Sequence, residues 1–542
     1  MATEGTFIRK ASGLVRTVPP IDAWIYNCLT MGWLSVAAYN LPFNPFAFPG
    51  GDQSIAILMT AALGMSMWTT YMFIVSALPR SGVDWIAQSR FLSPWIAFPI
   101  VIGDFWYLIY WDVWGYWFAT NLGMNPFFVV AGEAWKNASL LEFGKWVITP
   151  KGYFIIGIIL LFLMGWQLSL PIKLFASIQR WLMYAATIGM AAYIIIFLGT
   201  NPTSFAQNFN GFAARFVSDP DYYHTIINTA IAGGYNPNPG FSWYDQIGLM
   251  AMIWSLLGWA FWSAQLSGEI KGAGNLRVQN FVMNGSGWAT AIAWLVVWLI
   301  FSNAVDPTFI KCAGAALYSG QWTIPISSIN LGMYVAASDA TLGTGVMAAL
   351  FLIMIGLLAN AYQVYYNTMV GPVRMFFAMA FDRGLPDKFT IVHSRWHTPV
   401  YVIWLACACA VIQIYLSSYM PNVAPVFLPA ALSSGCIPYT VTSLAGAVMP
   451  WRGKAIYEAS PAAKYKLGPI PLITITGLIS VVFNITMIYY WLTVPALGIN
   501  PQSMIFVFFF YILGLIWAVY WRWHRKRQGI DLSLSFKLVP PD

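Results

Sequence analysis

Twelve apolar stretches of about 20 residues each recur along this chain. They lie near 22–42, 54–78, 93–120, 153–172, 181–200, 245–266, 281–304, 345–370, 398–417, 425–449, 469–492 and 503–522. A helix of that length spans the hydrocarbon of a bilayer, and a backbone in lipid has to satisfy its own hydrogen bonds. With 59% hydrophobic, 17% aromatic and 8% charged residues, the 542-residue chain also has too little polar surface for a soluble fold. The expected fold is an all-α polytopic membrane protein with 12 transmembrane helices.

Threaded alternately through a membrane from an internal N-terminus, these stretches leave all but five of the 27 Lys and Arg residues on one side. The internal set runs from Arg9, Lys10 and Arg16 through Arg80, Arg90, Lys173, Arg180, Lys271 and Arg277 to Arg374, Arg383 and the basic tail ending at Lys537. Lys136, Lys145, Lys151, Arg215 and Lys311 fall outside. That bias sets both termini in the cytoplasm and the chain in the plasma or cytoplasmic membrane. The net charge of +8 then sits in membrane-flanking loops, where it suits anionic lipid headgroups rather than nucleic acid. Met1 to Pro20 is polar, so no cleavable signal is expected.

The stretches divide the chain into a cytoplasmic segment 1–21, five spans over 22–200, an outer loop 201–244 and five more spans over 245–449. Spans 11 and 12 with their preceding cytoplasmic loop occupy 450–522, and a cytoplasmic tail occupies 523–542. The outer loops 121–152, 201–244 and 305–344 are rich in Asn, Gly and Pro, which predicts short helices or irregular caps rather than a separate domain. Groups of five spans insert with opposite orientations, the geometry of inverted-repeat carriers with a mid-membrane site.

Several chemistries are disfavoured. Cys28, Cys407, Cys409 and Cys436 lie in spans and Cys312 alone in an outer loop, which gives neither a disulfide framework nor metal spacing. His224, His393, His397 and His524 fall in loops or tails, so no paired histidines are placed to hold haem. No nucleophile–base constellation marks an intramembrane enzyme. No cofactor is expected.

Four motifs carry a resemblance. Ala77-Leu78-Pro79-Arg80-Ser81-Gly82, running into Ser89-Arg90-Phe91-Leu92-Ser93-Pro94, resembles the "PRSGG-Y" loop of the amino acid–polyamine–organocation (APC) transporters. Arg374 to Pro386 is similar to that superfamily's "R-x-x-x-A-M-A-x-D-x-x-L-P" signature, Thr398-Pro399 to its start of span 9, and Ser267-Gly268-Glu269-Ile270-Lys271 to its "AEEVK" segment. The resemblance covers roughly residues 15 to 525. It implies an amino acid permease-like protein with the five-plus-five inverted repeat of the sodium-coupled leucine transporters and two added C-terminal helices. It also assigns Arg80, Glu269, Arg374 and Asp382 to the cytoplasmic gate motif, with anchoring of helix ends as the plainer alternative.

Substrate residues are sought where helices break. A carboxylate needs exposed N–H groups at a half-helix N-terminus, and a cation needs freed carbonyls. In span 1 the family's Gly-rich run is replaced by Asn27-Cys28-Leu29-Thr30-Met31-Gly32-Trp33, and a break is expected between Asn27 and Gly32. Asn27, Cys28, Thr30 and Gly32 are the candidates there. In span 6, Ser255 to Ser263 lacks the family's acidic residue; Gly258 is the expected unwinding point, with Ser255, Trp259 and Trp262 beside it. Trp259 and Trp262 could close over a cation or an apolar group.

Span 3 contributes Asp104, Tyr107 and Trp111 on one helical stripe. A carboxylate in lipid has to face a polar pathway, carry a proton or be paired. Asp104 therefore binds a substrate ammonium, carries a proton, or fixes helices as a neutral hydrogen-bonded acid. Asp112 is expected in the outer vestibule. Span 8 offers Asn360 and Asn367, either as ligands through their carbonyl oxygens or as interhelical hydrogen bonds. Proton-coupled relatives carry a lysine in span 5; its place falls near Ala186, so the coupling ion is Na+, or H+ on Asp104, or absent. The reading is a secondary active transporter of amino acids or related small organic amines, working by alternating access as a homo-oligomer, in a membrane complex or alone. A non-transporting sensor or accessory subunit is the alternative that the altered span 1 and span 6 signatures leave open.

Overall fold

The computed structural model describes residues 13–326, 341–420, 422, 424–494 and 501–536. Arg9, Lys10 and Lys537, and parts of the expected segments 1–21, 305–344 and 523–542, lie outside those residues. Among the described residues the fold is helical apart from one antiparallel hairpin, which pairs Lys466 with Pro471 and Leu467 with Ile470, and a single parallel bridge between Val18 and Ile270. The long helices are α1 Pro20–Thr30, α2 Gln53–Ala77, α3 Pro94–Trp117, α4 Pro150–Leu168, α5 Ile172–Leu198 and α6 Trp243–Leu257. They continue with α7 Ser286–Ala304, α8 Thr344–Phe381, α9 Val400–Tyr419, α10 Ala424–Arg452, α11 Leu472–Thr493 and α12 Pro501–Arg527. Among the described residues ten helical stretches are long and apolar enough to cross a membrane. Of the stretches read from hydropathy, 22–42 is broken rather than continuous, and α10 stands outside the ten.

Three helix boundaries differ from expectation. The third span runs on past 120 as one path to Ala134, through a π-helical segment Phe118–Met124 and a further helix Asn125–Ala134. Asn121, Gly123, Asn125 and Pro126 read as a loop, yet Pro126 sits in the first turn of the new segment, where its missing N–H costs nothing. Asn125 then donates to Gly144 O (2.9 Å), folding helix Ala138–Trp146 back against it. α5 starts at Ile172, nine residues ahead of the expected 181. α8 continues to Phe381, so the Arg374 signature forms its last turns instead of a loop.

The expected caps appear as helices Pro202–Ala213, Tyr222–Ala232 and Pro307–Tyr318. They share an aromatic cluster in which Tyr223 stacks on Phe309 at 4.2 Å. Trp68, Trp85, Trp254, Trp262 and Trp294 are fully buried in the core. Glycines let these rings seat against neighbouring helices: a Cβ on Gly64 would lie 2.4 Å from Trp254, and one on Gly287 2.4 Å from Trp68. Large apolar side chains on α4, α5, α11 and α12, among them Phe162, Trp181, Ile195, Val482 and Ile505, face outward. That distribution fits a lipid solvent.

Candidate functional site

The first helix stops at Thr30, and Gly32 takes φ +84°, a left-handed turn in which a Cβ would strike Val36 Cγ2 at 2.6 Å. The path resumes as a π-helical turn Val36–Asn40 and helix Leu41–Ala47. A break in lipid frees backbone groups that need partners. Asn360 of α8 supplies them: its Oδ1 accepts from Leu34 N and Ser35 N (both 2.9 Å), and its Nδ2 donates to Leu29 O (3.2 Å).

The sixth helix changes character at Gly258, as the sequence places it, but by tightening rather than opening. Gly258–Glu269 is a 12-residue 3₁₀ helix, and Gly258 itself keeps right-handed angles. So long a 3₁₀ run is uncommon and marks a mid-helix hinge. Asn27 ties it to α1: its Oδ1 accepts from Ser263 N (2.8 Å), while its Nδ2 donates to Ser263 Oγ (3.0 Å) and Val282 O (2.9 Å).

Between these two interruptions lies a cavity of about 20 Å³, lined by Thr30, Gly32, Ser35, Trp111, Phe118, Leu256, Trp259, Val364, Asn367 and Thr368. It has room for roughly one water molecule. Trp111 and Trp259 meet edge to face at 5.6 Å along one wall. Thr30 Oγ1 donates to Tyr26 O (2.5 Å) and accepts from Asn367 Nδ2. Among the described residues, Ser35 Oγ and Asn367 Oδ1 are buried without a hydrogen-bond partner.

Of the expected substrate residues, Thr30, Gly32, Trp111 and Trp259 reach this cavity. Asn27, Cys28, Trp262 and Asn360 are buried elsewhere, outside its lining, and Ser255 and Gly258 sit on the same helical path without lining it. The Trp262 indole donates to Asn367 O (2.7 Å), fixing the backbone beside a lining side chain. The span 3 stripe divides. Tyr107 points at α12, its hydroxyl bonded to Val507 O (2.7 Å) and Phe506 O. Asp104 is buried with neither oxygen partnered among the described residues, and it does not line the cavity. Asp112, expected in a vestibule, is instead fully buried and accepts a hydrogen bond from Thr368, a cavity residue. Ser35, Phe118, Leu256, Val364 and Thr368 were not among the candidates. Asn367 was, as a ligand through its carbonyl oxygen or an interhelical hydrogen bond.

Near Ala186, α5 and α8 touch closely: a Cβ on Gly356 would lie 2.9 Å from Ala185 O and 2.8 Å from Leu34 Cδ2. Among the described residues, no group of three or more His, Cys, Asp or Glu stands close enough to hold a metal ion.

The motif residues gather at one face of the helix bundle. Arg374 forms a two-point pair with Glu269, Nε to Oε1 at 2.9 Å and Nη2 to Oε2 at 3.1 Å, both side chains about 1% exposed. Arg90 pairs with Asp382, Nη2 to Oδ1 at 2.8 Å, and the Trp85 indole donates to Asp382 Oδ2 (2.7 Å). Asp84 receives Tyr71 (2.6 Å), Thr442 (2.7 Å) and Gln265 (2.5 Å). Burial pushes its carboxyl above the ordinary range, and these three donors oppose that rise. Arg80 enters through its carbonyl, which accepts from Ser267 Oγ (2.6 Å). Gly82, at φ +77°, packs so closely that a Cβ would lie 2.7 Å from Arg374 O.

The profile of the amino acid permease family matches residues 315–531, from the cap helix Pro307–Tyr318 through α12. Over those residues the chain is similar to the amino acid permease family. Members of that family are transporters rather than enzymes. The matched region holds Asn360, Asn367, Arg374 and Asp382; the broken α1 and Glu269 lie ahead of it. No curated protein matches the chain.

Proposed function

We propose that this permease-like protein is a secondary active transporter that moves amino acids or related small organic amines across the cytoplasmic membrane by alternating access. The observation that carries the reading is the small cavity between a broken α1 and the 3₁₀ segment of the sixth helix. Apart from the amino acid permease match, nothing else in the chain calls for this arrangement: a membrane scaffold has no need of an interrupted helix whose freed backbone groups are capped by a buried Asn.

Twelve crossings, arranged as inverted repeats over 22–200 and 245–449 with both ends in the cytoplasm, suit this function. The solute would be held by Ser35 Oγ, Asn367 Oδ1, Thr30 and the backbone beside Gly32, with Trp111 and Trp259 over its apolar part or its ammonium. At about 20 Å³ the cavity is smaller than any amino acid, so it belongs to a contracted state and binding has to widen it. Arg374 with Glu269 and Asp382 with Arg90 close one face, and their separation would open it. Either Na+ or H+ drives the cycle, and no cofactor takes part.

Reconstitution tests the reading. Proteoliposomes are expected to accumulate at least one labelled amino acid or amine under a sodium or proton gradient. No flux of any under either gradient would sink it and favour a sensor.

A further inference from the structure

Asp112 lies eight residues, about 12 Å of helical rise, beyond Asp104 on the third span. It is fully buried, its Oδ2 has no hydrogen-bond partner among the described residues, and its Oδ1 meets one hydroxyl, that of Thr368. Among the described residues no Lys, Arg or His pairs with it. Among the described residues the titratable groups close enough to sense its charge are Tyr365 on α8 and Cys407 on α9, and Tyr116 on its own helix neighbours Tyr365. None of these is a cation. An ionised carboxylate in that setting costs far more than one neutral hydrogen bond returns.

Donor arithmetic points the same way. Thr368 Oγ1 lies within hydrogen-bond reach of Asp112 Oδ1, of Val364 O (2.9 Å) and of Tyr365 O (3.3 Å), yet a hydroxyl has one hydrogen to give. If Asp112 is ionised, that hydrogen has to turn to it and away from the helix carbonyls. If Asp112 carries a proton, both contacts are met at once: the carboxyl O–H donates to Thr368 Oγ1, whose own hydrogen goes to Val364 O. Thr368 lines the cavity beside Asn367, so the proton on Asp112 decides where the hydroxyl hydrogen of a cavity-wall residue points.

We propose that Asp112 is a proton-binding site, occupied in the contracted state and read at the cavity through Thr368. Resting on the transport reading above, this makes the proton the coupling ion. The proton leaves water on one side for Asp112 as the cavity closes and returns to water on the other side as it opens, so charge and atoms balance over the cycle. Ala186, where a coupling lysine would stand, takes no part.

Infrared difference spectroscopy of the purified protein in lipid, in water and in deuterated water, reads the proton directly. At neutral pH the full-length protein is expected to show protonated carboxylic-acid absorption, one component of which disappears in Asp112→Asn, persists in Asp104→Asn and shifts in Thr368→Val. A spectrum that Asp112→Asn leaves unchanged overturns the proposal, whether or not any flux is found. In proteoliposomes given a pooled mixture of labelled amino acids with the membrane potential clamped, one proton per solute allows about tenfold accumulation per pH unit. Asp112→Asn is expected to keep exchange but lose accumulation, and Asp112→Glu to restore it. Accumulation that survives in Asp112→Asn rejects proton coupling here. A wild type that shows the band but no flux would sink the transport reading while leaving the proton site standing.

Discussion

Replacing Glu269 by Gln removes one carboxylate and leaves the Arg374 guanidinium where it is. Both of its paired nitrogens then lose a charged acceptor at 2.9 and 3.1 Å, in surroundings where each side chain is about 1% exposed. Solvent does not screen a pair so deeply placed, and stripping one partner from a buried ion pair costs about 3–5 kcal/mol. If that cost falls on the contracted state and is relieved when the face opens to water, the open-to-closed ratio rises by about two to three and a half orders of magnitude. The assay is alkylation of Ser35→Cys, in a background without the native cysteines, by a water-soluble maleimide; Ser35 is buried and lines the cavity. Glu269→Gln is expected to speed labelling steeply, and the exchange Glu269→Arg with Arg374→Glu to slow it again. If labelling stays at the parent rate while the melting temperature falls by a comparable free energy, the pair secures the fold and does not close a gate. If neither changes, the argument from burial is wrong.

Asn360→Leu strips three backbone groups, Leu29 O, Leu34 N and Ser35 N, of their partner, and at about 1–3 kcal/mol for each buried unsatisfied group thermal unfolding should show a loss of several kcal/mol. Gly82→Ala meets both a left-handed backbone and the Arg374 carbonyl, so it should cost at least about 1–2 kcal/mol in the same measurement, whereas Gly234→Ala, left-handed but with open space around it, should cost only the conformational part. Asp104→Asn should leave solute affinity unchanged and stability equal or higher, because neither oxygen has a partner to lose among the described residues; a marked affinity change in flux or binding would mean that Asp104 touches the cavity after all.

Most of the span positions were legible because hydropathy is a local property of the chain. The break at Gly32 was legible too, since a glycine amid Asn and Thr is a cheap place to turn in lipid. Which carboxylate of the third span adjoins the cavity was not. Asp104 and Asp112 stand on the same helix, and what separates them is that Thr368 bonds to one while the other has no hydrogen-bond partner among the described residues. Asn360 illustrates the same limit. An Asn in an apolar helix signals a partner, but the partner is a stretch of backbone more than 300 residues earlier, and spacing says nothing about it. The extension of the third span through Asn125 and Pro126 was hidden because both residues are common in loops, and a π-helical turn tolerates them.

Thr17 and Val18 donate to Glu269 O (3.0 Å each) and Lys271 N returns a bond to Val18 O (2.9 Å), while Asn27 rivets the next turns to Ser263. The segment leading into α1 and the end of the sixth helix are therefore laced together at two points, one at Val18 and one at Asn27. Two rods joined twice cannot swing independently. Whatever tilts one carries the other, so the two half-helices form a single stiff lever, and force applied to the short leader ahead of Pro20 would be felt at the cavity floor.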